Sequence, residues 1–328
     1  MAIKISVIVT AYNRMEFLST ALNSLVDQTL EKDSFEVLLL TNFEYNLEKF
    51  NSLDLHHYIL DGSIGEYMYQ AIKKAKGEIV TFLDDDDVFM PNKLLKLVKN
   101  FDDNFVYYKN STKIFFDESF KRDVTPNRTA KFHIISEKDL KKPNKYAYNK
   151  SSISLKKEFI MKYLDKLRLL EASEDWFFFF TILYEDKCGI NDPEILSLYR
   201  KHLSSSSQSI QSSDQNYDSY LRYLDQQLAS FSHMKEVFPN SKIDKIIDYQ
   251  LSVFRIRKDL LSYNLMDPFL KPDTKNIFIA ILLNYNNKIV LTTLFLRSFV
   301  AIYWRGLYSV TNRAYILISR RLNRAKSI

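Results

Sequence analysis

The chain has 328 residues, of which 46% are hydrophobic and 14% aromatic, enough apolar side chains for one large domain or two smaller ones. Its one cysteine, Cys188, excludes an internal disulfide and is typical of a reducing compartment. The net charge of +6 hides an asymmetry, because residues 274–328 carry +9 with no Asp or Glu, which leaves −3 for residues 1–273.

The first hundred residues alternate short apolar runs with helical patterns. The apolar runs predict four strands, at residues 5–10, 35–40, 55–60 and 79–83. Apolar residues at helical spacing predict helices between and after them, at residues 17–25, 66–76 and 91–100. Such alternation is typical of right-handed βαβ units that form a parallel sheet. Because the first strand begins at once, no signal peptide is expected.

Four consecutive aspartates, Asp84 to Asp87, follow the fourth predicted strand directly. In open α/β sheets, ligands bind beyond the carboxyl ends of the strands. Oxygen ligands are those that Mg²⁺ and Mn²⁺ prefer. By themselves the four residues are equally compatible with a divalent metal site and with a solvated acidic turn.

Beyond residue 105 the pattern is less regular. Further strands are predicted at residues 105–110, 113–116, 151–155 and 195–200, the first two as a hairpin. The aromatic stretch at 174–184 predicts a buried helix, and two helical patterns follow a serine-rich linker or lid at 204–213.

The basic tail has no charge-free stretch of the roughly 20 residues that a transmembrane helix needs. Its aliphatic residues recur at helical spacing with the arginines off that stripe, which favours an amphipathic helix on an anionic membrane surface. A helix packed on its own domain or on a partner is the alternative. The interleaved aliphatic runs favour lipid headgroups over nucleic acid as the partner. We therefore expect a cytoplasmic protein, peripheral on the inner face of the cell membrane.

Five motifs occur in order between residues 3 and 205: SVIVTAYNR at 6–14, ALNSLVDQT at 21–29, AKGEIVTFLDDDD at 75–87, EDW at 174–176 and YRKH at 199–202. In this order they resemble the motifs of family 2 glycosyltransferases. The resemblance implies an α/β protein of the GT-A (Rossmann-like) fold, with a mostly parallel sheet flanked by helices and a C-terminal helical extension. The predicted domains are a catalytic domain at 1–205, a helical extension at 206–270 and the membrane-associating tail at 271–328.

The resemblance also implies a reaction, the inverting transfer of a sugar from a nucleotide-sugar donor to a hydroxyl of a glycan or lipid-linked acceptor, with Mn²⁺ or Mg²⁺. It makes Asp175 the general base and gives the metal to Asp86, Asp84 and His202, with Asp84 also facing the ribose. Asp85 is expected to be dispensable. The remaining substrate contacts that it implies are Ala11, Tyr12, Arg14, Asn42, Glu174, Trp176 and Arg200.

One departure from the family's pattern puts the donor in question. The family has an aspartate that reads the nucleobase after the second strand, where this chain has Asn42, and spacing puts the Asp61-Gly62-Ser63 segment after the third strand. An amide both donates and accepts hydrogen bonds, whereas a carboxylate only accepts. Two alternatives remain open: a degenerate domain that binds a nucleotide sugar without catalysis, and a metal-dependent nucleotidyltransferase or phosphoesterase. The second lacks a G-x-x-x-x-G-K-[ST] phosphate loop.

Overall fold

The computed structural model of the chain describes residues 3–115, 133–141, 143–201 and 217–264. These residues form two compact units that separate after Lys201. Predictions for His202, for the serine-rich segment and for the tail therefore lie outside the described residues.

The first half of the first unit, which ends at Lys201, is the predicted parallel sheet. Its strands are β1 (Ile5–Ala11), β2 (Phe35–Thr41), β3 (Leu55–Ile59) and β4 (Ile79–Asp84), in the order β3-β2-β1-β4. The helices are α1 (Leu18–Val26), α2 (Ile64–Lys74) and α3 (Lys93–Asn100), with the two-residue strand β5 (Val88–Phe89) before α3. Every residue of β1 and β2 is buried, which explains why both read as continuous apolar runs.

The second half adds four strands and turns the sheet into a mixed one. The strands are β6 (Tyr107–Phe115), β7 (His133–Ile135), β8 (Ile153–Lys156) and β9 (Gly189–Arg200). The helices are α4 (Asn144–Ala147), α5 (Lys157–Met161), α6 (Leu164–Leu167) and α7 (Glu174–Tyr184). The strand β8 is antiparallel to both β4 and β6, and β5 and β7 are antiparallel to β9. The α/β class is confirmed, with the parallel order concentrated in the first half.

The predicted hairpin at residues 105–116 is wrong. The structure has one strand there, β6, which pairs in parallel with β9 along its whole length. The polar residues that suggested a turn mark shifts of register between Asn110 and Thr112 instead. The Asn110 amide donates to Ser197 Oγ of β9 at 3.1 Å, so a side-chain contact spans the irregularity.

The helix α7 is apolar almost throughout after its acidic first turn. Four consecutive phenylalanines, Phe177 to Phe180, are each fully buried, and Phe178 stacks on Phe82 of β4 with ring centroids 4.7 Å apart. A helix that is apolar on all sides belongs in a core, and each buried phenylalanine contributes roughly 1.5–3 kcal/mol. This packing anchors the acidic first turn of α7 beside the end of β4.

The second unit is a pair of helices, α8 (Tyr217–Val237) and α9 (Ser241–Asn264). They pack through buried aromatic residues, among them Phe231 and Phe254, whose ring centroids lie 5.7 Å apart. The predicted helical extension is therefore present. Among the described helices, none combines the length and the apolarity that crossing a membrane requires.

Candidate active site

The chemically interesting side chains meet at one edge of the sheet. Strands β1 to β4 run parallel, so the segments that follow them emerge together, and Thr10 of β1 lies opposite Asp84 in register. Because β8 runs antiparallel to β4, the residues that precede β8 reach the same edge. Ser151 marks the meeting point, since its hydroxyl accepts a hydrogen bond from Asp84 N at 3.0 Å.

The aspartate run is a tight turn held by an arginine from the β1 loop. Arg14 donates through Nε and Nη2 to the two carboxylate oxygens of Asp85, at 2.7 and 2.6 Å, and Nη2 also lies 2.7 Å from Asp86 Oδ2. Burial raises the pKa of Asp85 to about 6, although Arg14 opposes the shift. The motif comparison predicted no role for Asp85, whereas the structure makes it the main partner of Arg14.

Arg200, the last residue of β9, forms hydrogen bonds with the same turn through Asp87 and Asp86. Asp87 is fully buried and accepts a hydrogen bond from Arg200 N at 3.0 Å, while Arg200 Nε donates to Asp86 O at 2.9 Å. The Arg200 guanidinium lies between the rings of Phe17 and Phe115, 4.5 and 4.4 Å from their centroids. With 2% of its surface exposed, Arg200 holds the turn in this structure. The phosphate contact predicted from the motif stays a prediction.

Lys150 is the site residue that the sequence did not reveal. Its side chain is 4% exposed, and Nζ lies 2.8 Å from Asp84 Oδ1 and 2.9 Å from Glu174 Oε1. Burial by itself would lower the pKa of Lys150, but the charges of Asp84 and Glu174 outweigh burial and raise it. Lys150 lies outside the five motifs, and only the register of β8 against β4 places it here.

Asp175 lies half-buried in the first turn of α7, next to Trp176, whose backbone N–H donates to Asp175 Oδ1 at 2.8 Å. Burial, followed by the negative charge of Glu174, raises the pKa of Asp175 to about 7. A carboxylate with such a pKa is suited to accept a proton near neutral pH. Trp176 itself is 9% exposed and packs against Phe180.

The other end of this edge is formed by the loops after β1, β2 and β3. Asn42 and Asn13 are paired, since Asn13 N donates to Asn42 Oδ1 at 2.9 Å and Asn42 Nδ2 donates to Asn13 Oδ1 at 2.6 Å. Tyr12 is 53% exposed and its hydroxyl lies 3.3 Å from Asp61 Oδ1, whereas the side chain of Ala11 is buried. Asp61 follows β3, as the spacing predicted. The amide of Asn42 is thus already engaged in holding the β1 loop.

Three site residues directly follow residues with left-handed backbone. Asn13, Asn149 and Ser173 have φ of 55°, 68° and 61°, and they precede Arg14, Lys150 and Glu174. Left-handed backbone is uncommon outside glycine and costs of order 1 kcal/mol or more per residue, and it clusters at functional sites. The surrounding contacts therefore hold these three turns in place.

The carboxylates at this edge are of the ligand type that a divalent cation such as Mg²⁺ or Mn²⁺ prefers. Asp84 and Asp86 offer only oxygen ligands, and 34% of the Asp84 side chain is exposed. Among the described residues, three metal-binding atoms lie within 4.8 Å of one another in one place, at Glu36, Asp54 and His56, and not at the aspartate turn. Glu36 lies at the start of β2, at the opposite edge of the sheet, and the Lys76 ammonium lies 3.5 Å from it. That cluster is distinct from the predicted metal site.

Comparison with known proteins was made on the sequence and on the fold. Residues 6–163 match the family described as "Glycosyl transferase family 2". A poly(ribitol-phosphate) beta-glucosyltransferase of Bacillus spizizenii is 30% identical over 103 residues, which are 28% of this chain and 16% of the relative. An uncharacterized glycosyltransferase of Haemophilus influenzae is 28% identical over 201 residues, which are 58% of this chain and 66% of the relative. The matches therefore span only part of these relatives.

Two solved structures share the fold over nearly the whole chain. S. aureus TarS 1-349 in complex with UDP has a TM-score of 0.56 at 16% identity and covers 96% of this chain and 92% of its own. The mannosyltransferase PcManGT from Pyrobaculum calidifontis, in complex with GDP-Man and Mn²⁺, has a TM-score of 0.51 at 12% identity and covers 96% and 87%. At these identities the likeness concerns the fold, and it confirms the GT-A architecture.

The contacts of Arg14 predict a pH-dependent loss of stability when it is replaced. Arg14→Met leaves Asp85 buried without its counter-charge, which should lower the free energy of unfolding by about 2–4 kcal/mol near neutral pH. The loss should be smaller at about pH 5, because a carboxyl with a raised folded-state pKa stabilises the fold while protonated and loses this contribution as the pH rises through that pKa. Urea unfolding at about pH 5 and pH 8 measures both values.

Asp103→Asn is the control for this prediction. Asp103 pairs with Lys156 at 2.9 Å but is fully exposed, so its replacement should leave stability unchanged at either pH. If Arg14→Met lowered the free energy of unfolding equally at the two pH values, the negative charge of buried Asp85 would not be the cause of the loss.

Proposed function

We propose that the protein transfers a sugar from a nucleotide-sugar donor to an acceptor hydroxyl with inversion, because residues 6–163 match the family described as "Glycosyl transferase family 2". The observation that carries the proposal is the meeting of the aspartate turn with Asp175 at one edge of the sheet. Lys150 contacts Asp84 on one side and Glu174, the neighbour of Asp175, on the other. A leaving-group site and a base are thus adjacent, as direct displacement requires.

In the proposed reaction the bond between the anomeric carbon and the diphosphate breaks while a new bond to the acceptor oxygen forms on the opposite face. Asp175 takes the proton of the acceptor hydroxyl as this bond forms. A divalent cation, Mn²⁺ or Mg²⁺, bound by Asp86 and Asp84 would supply Lewis-acid stabilisation of the charge on the leaving diphosphate. His202 remains a third proposed ligand.

The donor and acceptor classes are proposals that rest on the similar proteins. The structures that share the fold contain UDP, UDP-GlcNAc and GDP-Man, so a nucleoside diphosphate sugar is proposed as the donor. Curated relatives are named for the glycosylation of poly(ribitol-phosphate). This supports a hydroxyl of a surface glycan or of a lipid-linked precursor as the acceptor. A thermal-shift screen of UDP-, GDP- and dTDP-sugars with Mn²⁺ identifies the donor, because ligand binding raises apparent stability.

A second candidate, a domain that binds a nucleotide sugar without catalysis, is favoured by one observation. Asn42 stands where the family has a carboxylate, and its amide is engaged by Asn13. The raised pKa of Asp175 favours catalysis instead. Release of nucleoside diphosphate from the donor supports transfer, whereas donor binding without release supports the second candidate. Release of nucleoside monophosphate or pyrophosphate would indicate nucleotidyl transfer or phosphoester hydrolysis.

We also propose that residues 271–328 hold the protein on the inner face of the cell membrane. The support is the charge of this segment, which has ten Lys or Arg residues among aliphatic runs and no acidic residue after Asp273. Basic segments near anionic lipids gain about 1 kcal/mol per Lys or Arg.

Asp86 and Asp175 should fail in different ways when each is replaced by asparagine. Asp175→Asn should lower nucleoside diphosphate release by at least about 100-fold while donor affinity stays nearly the same, because only the base is lost. Asp86→Asn should weaken Mn²⁺ and donor binding by more than about tenfold as well. Calorimetric titration separates the two effects, and Asp103→Asn serves as the control. Wild-type turnover in Asp175→Asn would refute the assignment of the base.

The pKa of Asp175 predicts the pH dependence of the reaction. Asp175 acts as a base only when it is deprotonated, so kcat/KM should rise with pH through about 7 and then level off. The rate measured at constant ionic strength between about pH 5.5 and pH 9 checks this. A flat profile across that range would contradict the role of Asp175.

The tail proposal is tested with lipid vesicles. Full-length protein should sediment with vesicles that contain anionic phosphatidylglycerol and much less with purely zwitterionic ones, and salt should weaken the binding. A variant with Arg313, Arg320, Arg321 and Arg324 replaced by glutamine is the matched comparison. Equal binding to both kinds of vesicle, or stronger binding to an oligonucleotide, would contradict the proposal.

A further inference from the structure

Three buried lysines converge on the short turn that precedes β8. Lys93, Lys109 and Lys150 are 0%, 3% and 4% exposed. Lys93 Nζ donates to Ser151 O at 2.6 Å and to Ser197 Oγ at 3.0 Å, and Lys109 Nζ donates to Ser152 Oγ. Lys150 differs from both, because two of its partners are carboxylates.

Each N–H of the Lys150 ammonium has a partner on a different element. Nζ lies 2.8 Å from Asp84 Oδ1 at the end of β4, 2.9 Å from Glu174 Oε1 at the start of α7, and 3.1 Å from Thr10 Oγ1 in β1. A lysine has three donors and no acceptor, so these contacts use its whole hydrogen-bonding capacity. The position of the ammonium is therefore fixed relative to all three elements.

We propose that Lys150 is a positioning residue, which sets Asp175 at the correct distance from the leaving group by tying the first turn of α7 to the end of β4. The inference rests on the proposed function and adds a residue outside the family's motifs. Without the ammonium, the carboxylates of Asp84 and Glu174 would face one another with little solvent between them. Their repulsion would displace the first turn of α7, which carries Asp175. A displacement of about 1 Å between reacting groups costs roughly 100-fold in rate.

A purely stabilising role for Lys150 makes a different prediction. Its loss would then reduce the folded fraction, while the molecules that remain folded would keep the position of α7 and the turnover number. The test must therefore read the position of α7 separately from stability and from activity.

Trp176 provides that reading because it directly follows Asp175 on the first turn of α7. The chain has two tryptophans, Trp176 and Trp304, so a Trp304→Phe background leaves Trp176 as the single reporter. In this background, Lys150→Met and Glu174→Met should each shift the Trp176 emission and increase its quenching by acrylamide, because each removes the contact between Lys150 and Glu174. Asp103→Asn is the control, since it removes an exposed charge that pairs with Lys156, and it should leave the emission unchanged.

Kinetic measurements on the same variants test whether Lys150 affects turnover through the position of Asp175. At about pH 8.5, where Asp175 is deprotonated, Lys150→Met should lower kcat about 100-fold with little change in the donor KM. Lys150→Arg, which keeps the charge, should recover part of the loss. Because either single variant breaks the contact between Lys150 and Glu174, the double variant with Glu174→Met should be no slower than Lys150→Met. Calorimetry should show that Lys150→Met binds Mn²⁺ at least as tightly as the unaltered chain.

Several results would overturn the proposal. They are an unchanged Trp176 emission in both variants, additive kinetic losses in the double variant, or the loss of Mn²⁺ binding in Lys150→Met. If Lys150→Met does not fold, Glu174→Met decides, since wild-type turnover with unchanged emission contradicts the proposal. If the unaltered chain releases no nucleoside diphosphate, the proposed function fails, while the emission of Trp176 still tests the position of α7.

Discussion

The fold of the first unit depends on neutralising a cluster of negative charges at one edge of its sheet. The carboxylates at residues 84–87 and 174–175 come from two segments that the fold brings together, and like charges at short distance repel strongly where water is scarce. Two cationic side chains form ion pairs with these carboxylates. Arg14 holds Asp85 and Asp86, and Lys150 holds Asp84 and Glu174. Arg14 comes from the loop after β1 and Lys150 from the turn before β8. The strand order of the sheet therefore determines where the two positive charges lie.

The two halves of the sheet contribute differently to the site. The parallel half supplies Arg14, Asn42 and the aspartate turn through segments that follow strands, which is the general place for ligands in such sheets. The base-bearing helix α7 and the turn of Lys150 belong to the second half, where the strands are of mixed direction. The seam between β4 and β8 is therefore where the proposed donor side and acceptor side meet.

The sequence predicted the parts of the protein that depend on local pattern. The strands β1 to β4 appear with ends within one residue of the prediction. The reason is clearest for β1, β2 and β4, which are buried almost throughout and give mostly apolar runs, whereas β3 is only partly buried. The hairpin failed because the polar residues at 110–112 mark a register shift, which local pattern does not distinguish from a turn. Lys150 and the pairing of Arg14 with Asp85 were missed for a related reason. Asp84 lies 66 residues before Lys150, and Arg14 and Asp85 belong to different motifs. Only the pairing of β1 and β8 with β4 brings these residues together.

The left-handed backbone at Asn13, Asn149 and Ser173 has a consequence for stability engineering. Glycine would relieve the steric cost of a positive φ, but it would also remove the side-chain hydrogen bonds of Asn13 and Asn149 and add freedom to the unfolded chain. Replacement by glycine would therefore loosen the turns that place Arg14, Lys150 and Glu174 without a clear gain in stability. Engineering of heat resistance should leave these three positions unchanged.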